Sequence, residues 1–238
     1  MKLPTEITPN PLILTPVELR FDIQPNKTNF FSDFYRLFST ELPKLDGVQV
    51  QFPKEIKEQN PNLRFQPDYK LSNDNYSVSI GQYSFLIETL GNYPLWNNYF
   101  SFIKNQVQKL FELNIIQNIT RIGVRYGSIF QNTSAKQVLE YFPHISIPDY
   151  TEKTIVQSAF DFIKDDISLR LQIAENAVLT KPDKIMVGTY IDIDASYNSP
   201  HEPNENVLDI IERLHSAEKE LFYKILKSDF LATLNPKY

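Results

Sequence analysis

The spacing of hydrophobic and polar residues along the chain predicts an α+β protein. From Val17 to Ile23 apolar and charged residues alternate, which indicates a strand with one buried face. Apolar residues recur every three or four positions over 28–42, 95–113 and 204–228, the pattern of amphipathic helices. A shorter helix is predicted over 134–142. Alternation predicts further strands over 48–52, 63–71, 76–80, 83–90, 119–130, 154–163, 167–174 and 185–195.

The order of these elements repeats along the chain, which suggests an internal duplication. A strand, a helix, three or four strands and a closing helix occur twice. We therefore predict two tandem β-α-β(3–4)-α modules, residues 1–116 and 117–238, tightly packed as one unit. Their strands would form an extended antiparallel sheet with the helices on one face. The element order resembles that of the TATA-binding-protein fold, in order alone. The alternative architecture is a single helix-grip sheet wrapped around a helix.

Composition narrows the classes of partner. The formal net charge is −5, and neither predicted module is basic, so nucleic acid is a disfavoured partner. There are no cysteines, which excludes disulfides and thiolate chemistry. No apolar run is long enough to span a bilayer, and the N-terminal residues lack an apolar signal core. We expect a cytoplasmic protein without a membrane segment.

Two arginines in the middle of predicted strands are the first candidate binding residues. Arg20 and Arg125 occupy equivalent positions of the repeat, on the polar faces of otherwise apolar strands. Glu18 lies two residues before Arg20 on the same face, so an ion pair between them is geometrically natural. The simpler interpretation is a structural ion pair. The sharper one is a pair of guanidinium groups that binds a ligand.

The last predicted helix contributes the other candidates. His215, Glu218 and Lys219 share one face of this helix, beside its apolar stripe. A solvated face with local ion pairs is the simpler interpretation. Helix 95–113 is the corresponding element of the first module. At the positions that correspond to His215, Glu218 and Lys219 it has Lys104, Val107 and Gln108. The second helix therefore departs from its own repeat at these three positions.

Motifs for catalysis and for cofactors do not occur. The three histidines form no metal-binding pair, and there is no nucleophile elbow or phosphate-binding glycine loop. Asp192 and Asp194 alternate on one strand, as magnesium ligands of nucleases can, but a strand face turned to water is the simpler explanation. We predict no catalytic residue, no metal and no cofactor.

Several short motifs, spread over nearly the whole chain, resemble a sporadically distributed family of uncharacterised bacterial proteins. They are E-x-R-F at Glu18–Phe21, R-x-G-x-R-Y at Arg121–Tyr126 and H-x-x-E-K-x-x-F at His215–Phe222. The resemblance implies a bacterial or archaeal protein without an assigned activity. Its patchy distribution suggests mobile or defence-linked gene neighbourhoods.

Two functional hypotheses follow. The first is a non-enzymatic interaction protein that uses an exposed sheet face, or a groove beside the last helix, to bind a protein partner or a second copy of itself. The second is an enzyme or small-ligand sensor with a site around Arg20, Arg125, His215 and Glu218. The second hypothesis requires these four side chains to converge on one pocket.

Overall fold

The computed structural model describes residues 2–27, 30–47, 54–141, 157–181, 184–200, 202–204 and 206–238. Its strands are β1 Leu12–Leu14, β2 Val17–Ile23, β3 Lys44–Gly47, β4 Tyr69–Ser72, β5 Tyr76–Ile80, β6 Ser84–Thr89, β7 Ile116–Gln131, β8 Gln157–Lys164, β9 Ile167–Lys181 and β10 Lys184–Tyr197. Its helices are α1 Phe31–Phe38, α2 Lys54–Gln59, α3 Pro61–Arg64, α4 Trp96–Glu112, α5 Ala135–Val138, α6 Asn206–Ile225 and α7 Ser228–Ala232.

All of these strands belong to one ten-stranded antiparallel sheet. The strand order is β3-β4-β5-β6-β2-β7-β10-β9-β8, and β1 pairs with β7 outside this path. β2 and β7 are neighbours, and each side of the sheet then continues as a meander. The α+β class is confirmed, and a single sheet is common to both predicted architectures.

Two tandem modules divided at residue 116 are not evident. The chain instead forms two compact units that are both discontinuous in sequence. Unit 1 contains Met1–Leu14, Arg125–Ala195 and His215–Tyr238, and unit 2 contains Thr15–Val124 and Ser196–Leu214. The physical reason is the length of β7 and α6, because each of these elements contributes residues to both units.

The core of unit 2 forms where α1 and α4 cover one face of the sheet. Phe34 and Phe38 of α1 are fully buried, and the Phe38 ring lies 5.7 Å from that of Phe85 on β6. Phe102 of α4 stacks on Tyr76 of β5 at 4.0 Å between ring centroids. These contacts follow from the predicted stripes, since residues three and four apart share one helix face.

The core of unit 1 forms between β7 and the C-terminal half of α6. The rings of Tyr126 and His215 lie 5.5 Å apart, and those of Phe130 and Phe222 lie 6.3 Å apart. α6 begins beside Asn204, whose side-chain oxygen accepts a hydrogen bond from the Asn206 amide at 3.0 Å. Such Asx bonds satisfy first-turn amides that have no intrahelical partner.

The observed elements differ from the predicted ones at several positions. β1 lies inside the proline-rich N-terminal arm, where no strand is predicted from the pattern. Within the predicted extended segment 63–71, the chain forms α3 before β4 begins. The predicted strand 48–52 lies outside the described residues, as do His144 and His201. Among the described helices, none combines the length and the apolar composition needed to cross a bilayer.

Tyr99 of α4 attaches this helix to the sheet through its buried hydroxyl. The hydroxyl lies 2.8 Å from the carbonyl oxygen of Thr15 and 2.9 Å from that of Ile87, and it donates its proton to these two acceptors. Burial raises the pKa of Tyr99 well above its usual value, so the hydroxyl remains a donor.

We expect Tyr99→Phe to lower the free energy of unfolding by about 1–3 kcal/mol, because two buried carbonyl groups lose their donor. Chemical denaturation measures this change. Tyr35→Phe is the matched control, since Tyr35 of α1 is exposed and the same substitution there removes no buried hydrogen bond. Equal effects of the two substitutions would contradict the anchoring role of the Tyr99 hydroxyl.

Candidate functional site

Two arginines in unit 2 share a single carboxylate oxygen. Nε of Arg20 donates a hydrogen bond to Oε2 of Glu18 at 2.9 Å, which confirms the predicted pairing of these two residues. Nη1 of Arg121 donates to the same oxygen at 2.5 Å. The residue pairs Arg20–Arg121 and Glu18–Gly123 face each other across β2 and β7, so all these positions lie on one face of the sheet.

Gly123 provides the space that Arg121 occupies. A Cβ atom on Gly123 would lie only 2.2 Å from Nη1 of Arg121, so the guanidinium group crosses the strand where no side chain is present. The strand pairing also shifts next to this position: Arg20 faces Arg121, whereas Phe21 faces Ile119. Bulges of this kind turn side chains locally. The R-x-G spacing of the sequence thus has a direct steric explanation.

An aromatic ring and a third arginine complete this region. The guanidinium carbon of Arg20 lies 4.3 Å from the centre of the Phe65 ring, and that of Arg64 lies 5.7 Å from the same ring. Arg64 also forms an ion pair with Asp22, with 3.6 Å between Nη2 of Arg64 and Oδ1 of Asp22. We call Arg20, Arg64, Arg121, Glu18 and Asp22 the arginine cluster.

Hydrogen bonds attach the segment around Phe65 to its surroundings in unit 2. The Ser84 hydroxyl of β6 donates to the Phe65 carbonyl at 2.8 Å. Nζ of Lys57 donates to the Gln66 carbonyl at 2.8 Å and to the Asp68 carboxylate at 2.5 Å. The ring under the Arg20 guanidinium is therefore held in place from both sides of the segment.

Arg125 in unit 1 has a different kind of partner. Its Nε and Nη2 donate to the two carboxylate oxygens of Asp192 on β10, at 2.8 and 2.5 Å. The Tyr190 hydroxyl donates to Oδ2 of Asp192 at 3.0 Å and lies close above Gly127. Hydrogen bonding to Asp192 raises the pKa of Arg125, and burial together with the Asp192 charge raises that of Tyr190. This is a complete bidentate ion pair around a buried carboxylate.

The candidate residues of α6 are mostly buried. His215 is 8% exposed and Glu218 is 4% exposed. Burial lowers the pKa of His215 to about 3, with a smaller contribution from the Lys219 charge. Burial also raises the pKa of Glu218 well above its usual value. Both groups therefore favour their neutral forms. Burial lowers the pKa of Lys219 as well.

Within unit 1, the structure separates two residues of the ligand-site hypothesis. His215 contacts the ring of Tyr126, and Arg125 precedes Tyr126 on β7. Successive side chains of a strand point to opposite faces of the sheet, so Arg125 and His215 lie on different faces of unit 1. Arg20 belongs to unit 2, where its hydrogen-bonded partner is Glu18.

The residues that sequence reasoning missed become partners only through strand register. Arg121 lies within the R-x-G-x-R-Y motif, but its position opposite Arg20 requires the β2–β7 pairing. The alternating pattern suggests a metal ligand or a water-facing side chain for Asp192, whereas its carboxylate binds Arg125. Phe65 lies within the segment 63–71, where alternation predicts a strand, but that pattern does not place its ring beside Arg20. Within the part of the chain that the structure describes, no group of three acidic or histidine side chains could hold a metal ion.

An exposed apolar surface lies at one end of the sheet, in unit 1. Among the strands of the described residues, β8 is the last of the order, and Phe160, Phe162 and Ile163 on it are exposed. The rings of Phe160 and Phe162 stack at 6.3 Å. We call the outer edge of β8, with these three side chains, the β8 surface.

Comparison with known proteins adds no assignment. No protein-family model matches the chain, and no curated protein matches it. The family resemblance based on the short motifs therefore stays a prediction.

We expect acid to destabilise this protein in part through His215. The pKa of His215 is about 3 in the folded chain and about 6.5 in the unfolded chain, so only the unfolded state binds the proton between these values. The resulting contribution to stability is present above pH 6.5 and is lost as the pH falls toward 3. Between pH 7 and 4.5 the loss is about 2–3 kcal/mol.

Denaturation of the wild type and of His215→Phe at pH 7, 5.5 and 4.5 measures this contribution. The variant keeps an aromatic ring against Tyr126 but removes the titrating group, so its stability should fall less with acid. His215→Gln is a second, smaller replacement. Parallel pH profiles for all three proteins would show that His215 is not buried in its neutral form.

Proposed function

We propose that this protein is a non-enzymatic binding protein, and that an extended segment of a protein partner adds to its sheet along β8. The observation behind the proposal is the exposure of this strand. Seven of its eight residues are exposed and the eighth is half-buried, although β8 belongs to a ten-stranded sheet. Strand addition of this kind is a common way of binding peptides.

The β8 surface has hydrogen-bonding groups for another strand. The loop between β8 and β9 has two residues, and Lys164 faces Ile167 across it. In a hairpin with a two-residue loop, the backbone groups of this flanking pair are hydrogen-bonded to each other. Along the two strands, hydrogen-bonded pairs then alternate with pairs that are not hydrogen-bonded. The backbone groups of Ala159, Asp161 and Ile163 therefore point away from β9, toward an added strand.

The two edge strands, β3 and β8, differ in the features that usually protect an exposed edge, which are short length and charged side chains. At the opposite end, the described part of β3 has four residues, of which Lys44 and Asp46 are charged. Short charged edges resist unwanted pairing. The described part of β8 is twice as long and places two phenylalanines on one face. An edge of this composition favours association with another chain.

The apolar face of β8 lies on the same side of the sheet as α6. Phe160 and Phe162 of β8 pair with Leu171 and Leu169 of β9, respectively, and both leucines are buried. On the same face, Nζ of Lys164 donates to the Glu220 carboxylate of α6 at 2.5 Å. Alternate side chains of a bound strand would contact the two phenylalanines, in agreement with the predicted use of the region beside the last helix.

The predicted family resemblance suggests where the partner is encoded. A patchy distribution favours a partner from the same mobile or defence-linked gene neighbourhood. A product of a neighbouring gene is therefore the first protein to test for binding.

Site-specific photo-crosslinking in the native host tests this proposal. We expect a crosslinker in place of Ile163, which is 83% exposed, to capture a defined protein. The same crosslinker at Val178 on β9, also exposed, should not capture it. Binding of the purified partner should weaken about tenfold or more in Phe162→Glu, because a charge replaces an apolar contact at the centre of the surface.

Val178→Glu is the matched control, since it adds the same charge to another exposed position of unit 1 and should leave the affinity unchanged. Two outcomes would overturn the proposal. One is equal crosslinking, or none, at the two positions. The other is capture of a second copy of this chain alone, which would assign the β8 surface to self-association.

A further inference from the structure

We propose that unit 2 binds the zwitterionic group of a free α-amino acid at Lys70 of β4, Ser77 of β5 and Glu88 of β6. In the complex, the ammonium group of the ligand pairs with Glu88 and its carboxylate pairs with Lys70, while Ser77 supplies a hydroxyl group. We call these three side chains the β4–β6 site. It is independent of the β8 surface, since all three residues belong to unit 2.

The strand pairing places the three side chains on one face of the sheet. Ser77 pairs directly with Glu88, and Lys70 pairs with Ser79, two residues further along β5. Tyr76, the neighbour of Ser77, stacks on an aromatic ring of α4. Successive side chains of a strand point to opposite faces, so the β4–β6 site lies on the face of the sheet opposite α4.

The small side chains of β5 allow the long side chains of the two flanking strands to meet. β5 lies between β4 and β6, and Nζ of Lys70 is 3.9 Å from Oε2 of Glu88. The ion pair therefore spans β5 on the side of the Ser77 hydroxyl. Its distance is longer than that of a hydrogen bond, so the ammonium group and the carboxylate attract each other without using their donors and acceptors.

All three polar groups have hydrogen-bonding capacity that the described residues do not use. Ser77 is 1% exposed, and within this part of the chain its hydroxyl has no hydrogen-bond partner. Among the same residues, neither the Lys70 ammonium group nor the Glu88 carboxylate forms a hydrogen bond. Buried polar groups nearly always have a partner, so an unpartnered hydroxyl beside an open ion pair points to a ligand. The side chains of Lys70 and Glu88 are 33% and 22% exposed, so a small molecule in solvent reaches them.

The charges of the site favour a zwitterion over a simple ion. Burial raises the pKa of Glu88, and the charge of Lys70 offsets this effect only in part. An added ammonium group would therefore stabilise the charged form of this carboxylate. Lys70 and Glu88 together have no net charge, so a ligand with a single charge would leave one of them without a new partner. An α-amino acid has both charges on groups attached to one carbon atom, which matches two adjacent groups of opposite charge.

A purely structural ion pair is the competing explanation. In that case Lys70 and Glu88 form a solvated surface pair, and solvent satisfies the hydroxyl of Ser77. A partly exposed pair at 3.9 Å contributes little to stability. The structural explanation therefore gives no reason for a carboxylate that is partly buried and incompletely compensated, next to a buried hydroxyl without a partner.

NMR titration with glycine, leucine, lysine and glutamate at constant ionic strength tests the proposal, because these free amino acids share the zwitterionic group and differ in side chain. The readouts are the amide resonances of Lys70, Ser77 and Glu88 and the melting temperature, since a ligand that binds the folded state stabilises it. We expect saturable changes with at least one amino acid by about 10 mM. Acetate and ethylammonium each have only one of the two charges, and should bind at least about tenfold more weakly.

Three variants make the result specific. Glu88→Gln keeps the size of the side chain but removes its charge, and should weaken binding about tenfold or more. Ser77→Ala should weaken binding about threefold or more and leave the stability unchanged, because the hydroxyl has no partner to lose among the described residues. Glu112→Gln is the matched control, since Glu112 is exposed on α4, which covers the other face of the sheet, and this variant should bind like the wild type.

Three outcomes would overturn the proposal. The first is the absence of saturable changes with all four amino acids in the folded protein. The second is binding of acetate or ethylammonium as tight as that of the amino acids, which would indicate a simple ion site. The third is equal affinity of Glu88→Gln and Glu112→Gln. If Glu88→Gln does not fold, a folded Ser77→Ala variant with unchanged affinity would contradict the proposal in its place.

Discussion

The alternation of side chains along β7 is the constraint on which both units depend. Its sixteen residues pair with β1, β2 and β10, and its apolar face, with Ile122, Val124 and Tyr126, is buried in the two cores. Its other face has arginine and glycine in turn, from Arg121 to Gly127. A slip of one residue would exchange the two faces and bury the arginines, so the apolar cores fix the register of the polar face as well.

The glycines on this face determine where long side chains can lie. Arg121 crosses Gly123 to reach Glu18, and the Tyr190 hydroxyl lies above Gly127 beside Asp192. Each glycine gives up side-chain packing on its strand. In return, a polar group from a neighbouring position can approach the backbone closely. Gly123 thus leaves the space that the Arg121 guanidinium occupies, and Gly127 leaves the space that the Tyr190 hydroxyl occupies.

Much of the fold could be predicted because its elements have strong local patterns. β2 has the predicted bounds, and α4 and α6 end within a few residues of theirs. β1, α2 and α3 were missed because they are short and lie among prolines and polar residues. The predicted division at residue 116 is not evident, since sequence periodicity does not show how a long strand or helix is shared between compact units.

The candidate site was predictable only as far as it is local. Glu18 and Arg20 are two residues apart, so alternation alone places them on one face. The partnership of Arg20 with Arg121, and that of Arg125 with Asp192, depends on which strands are neighbours and in which register. The predicted grouping of Arg125 with His215 shows the same dependence on packing. The sequence shows that Arg125 and Tyr126 point in opposite directions, but only the packing of α6 on Tyr126 shows which of them is near His215.

The buried ionisable groups of unit 1 show why binding is to be sought at the surface. Asp192 is compensated by Arg125, while His215 and Glu218 favour their neutral forms through shifted pKa values. Either way the interior has little charge left with which to attract a ligand, and an added charge there would face the full cost of desolvation. The edge of β8 differs from these groups. It lies at the surface, so a strand that adds to it replaces solvent without unfolding any part of the core.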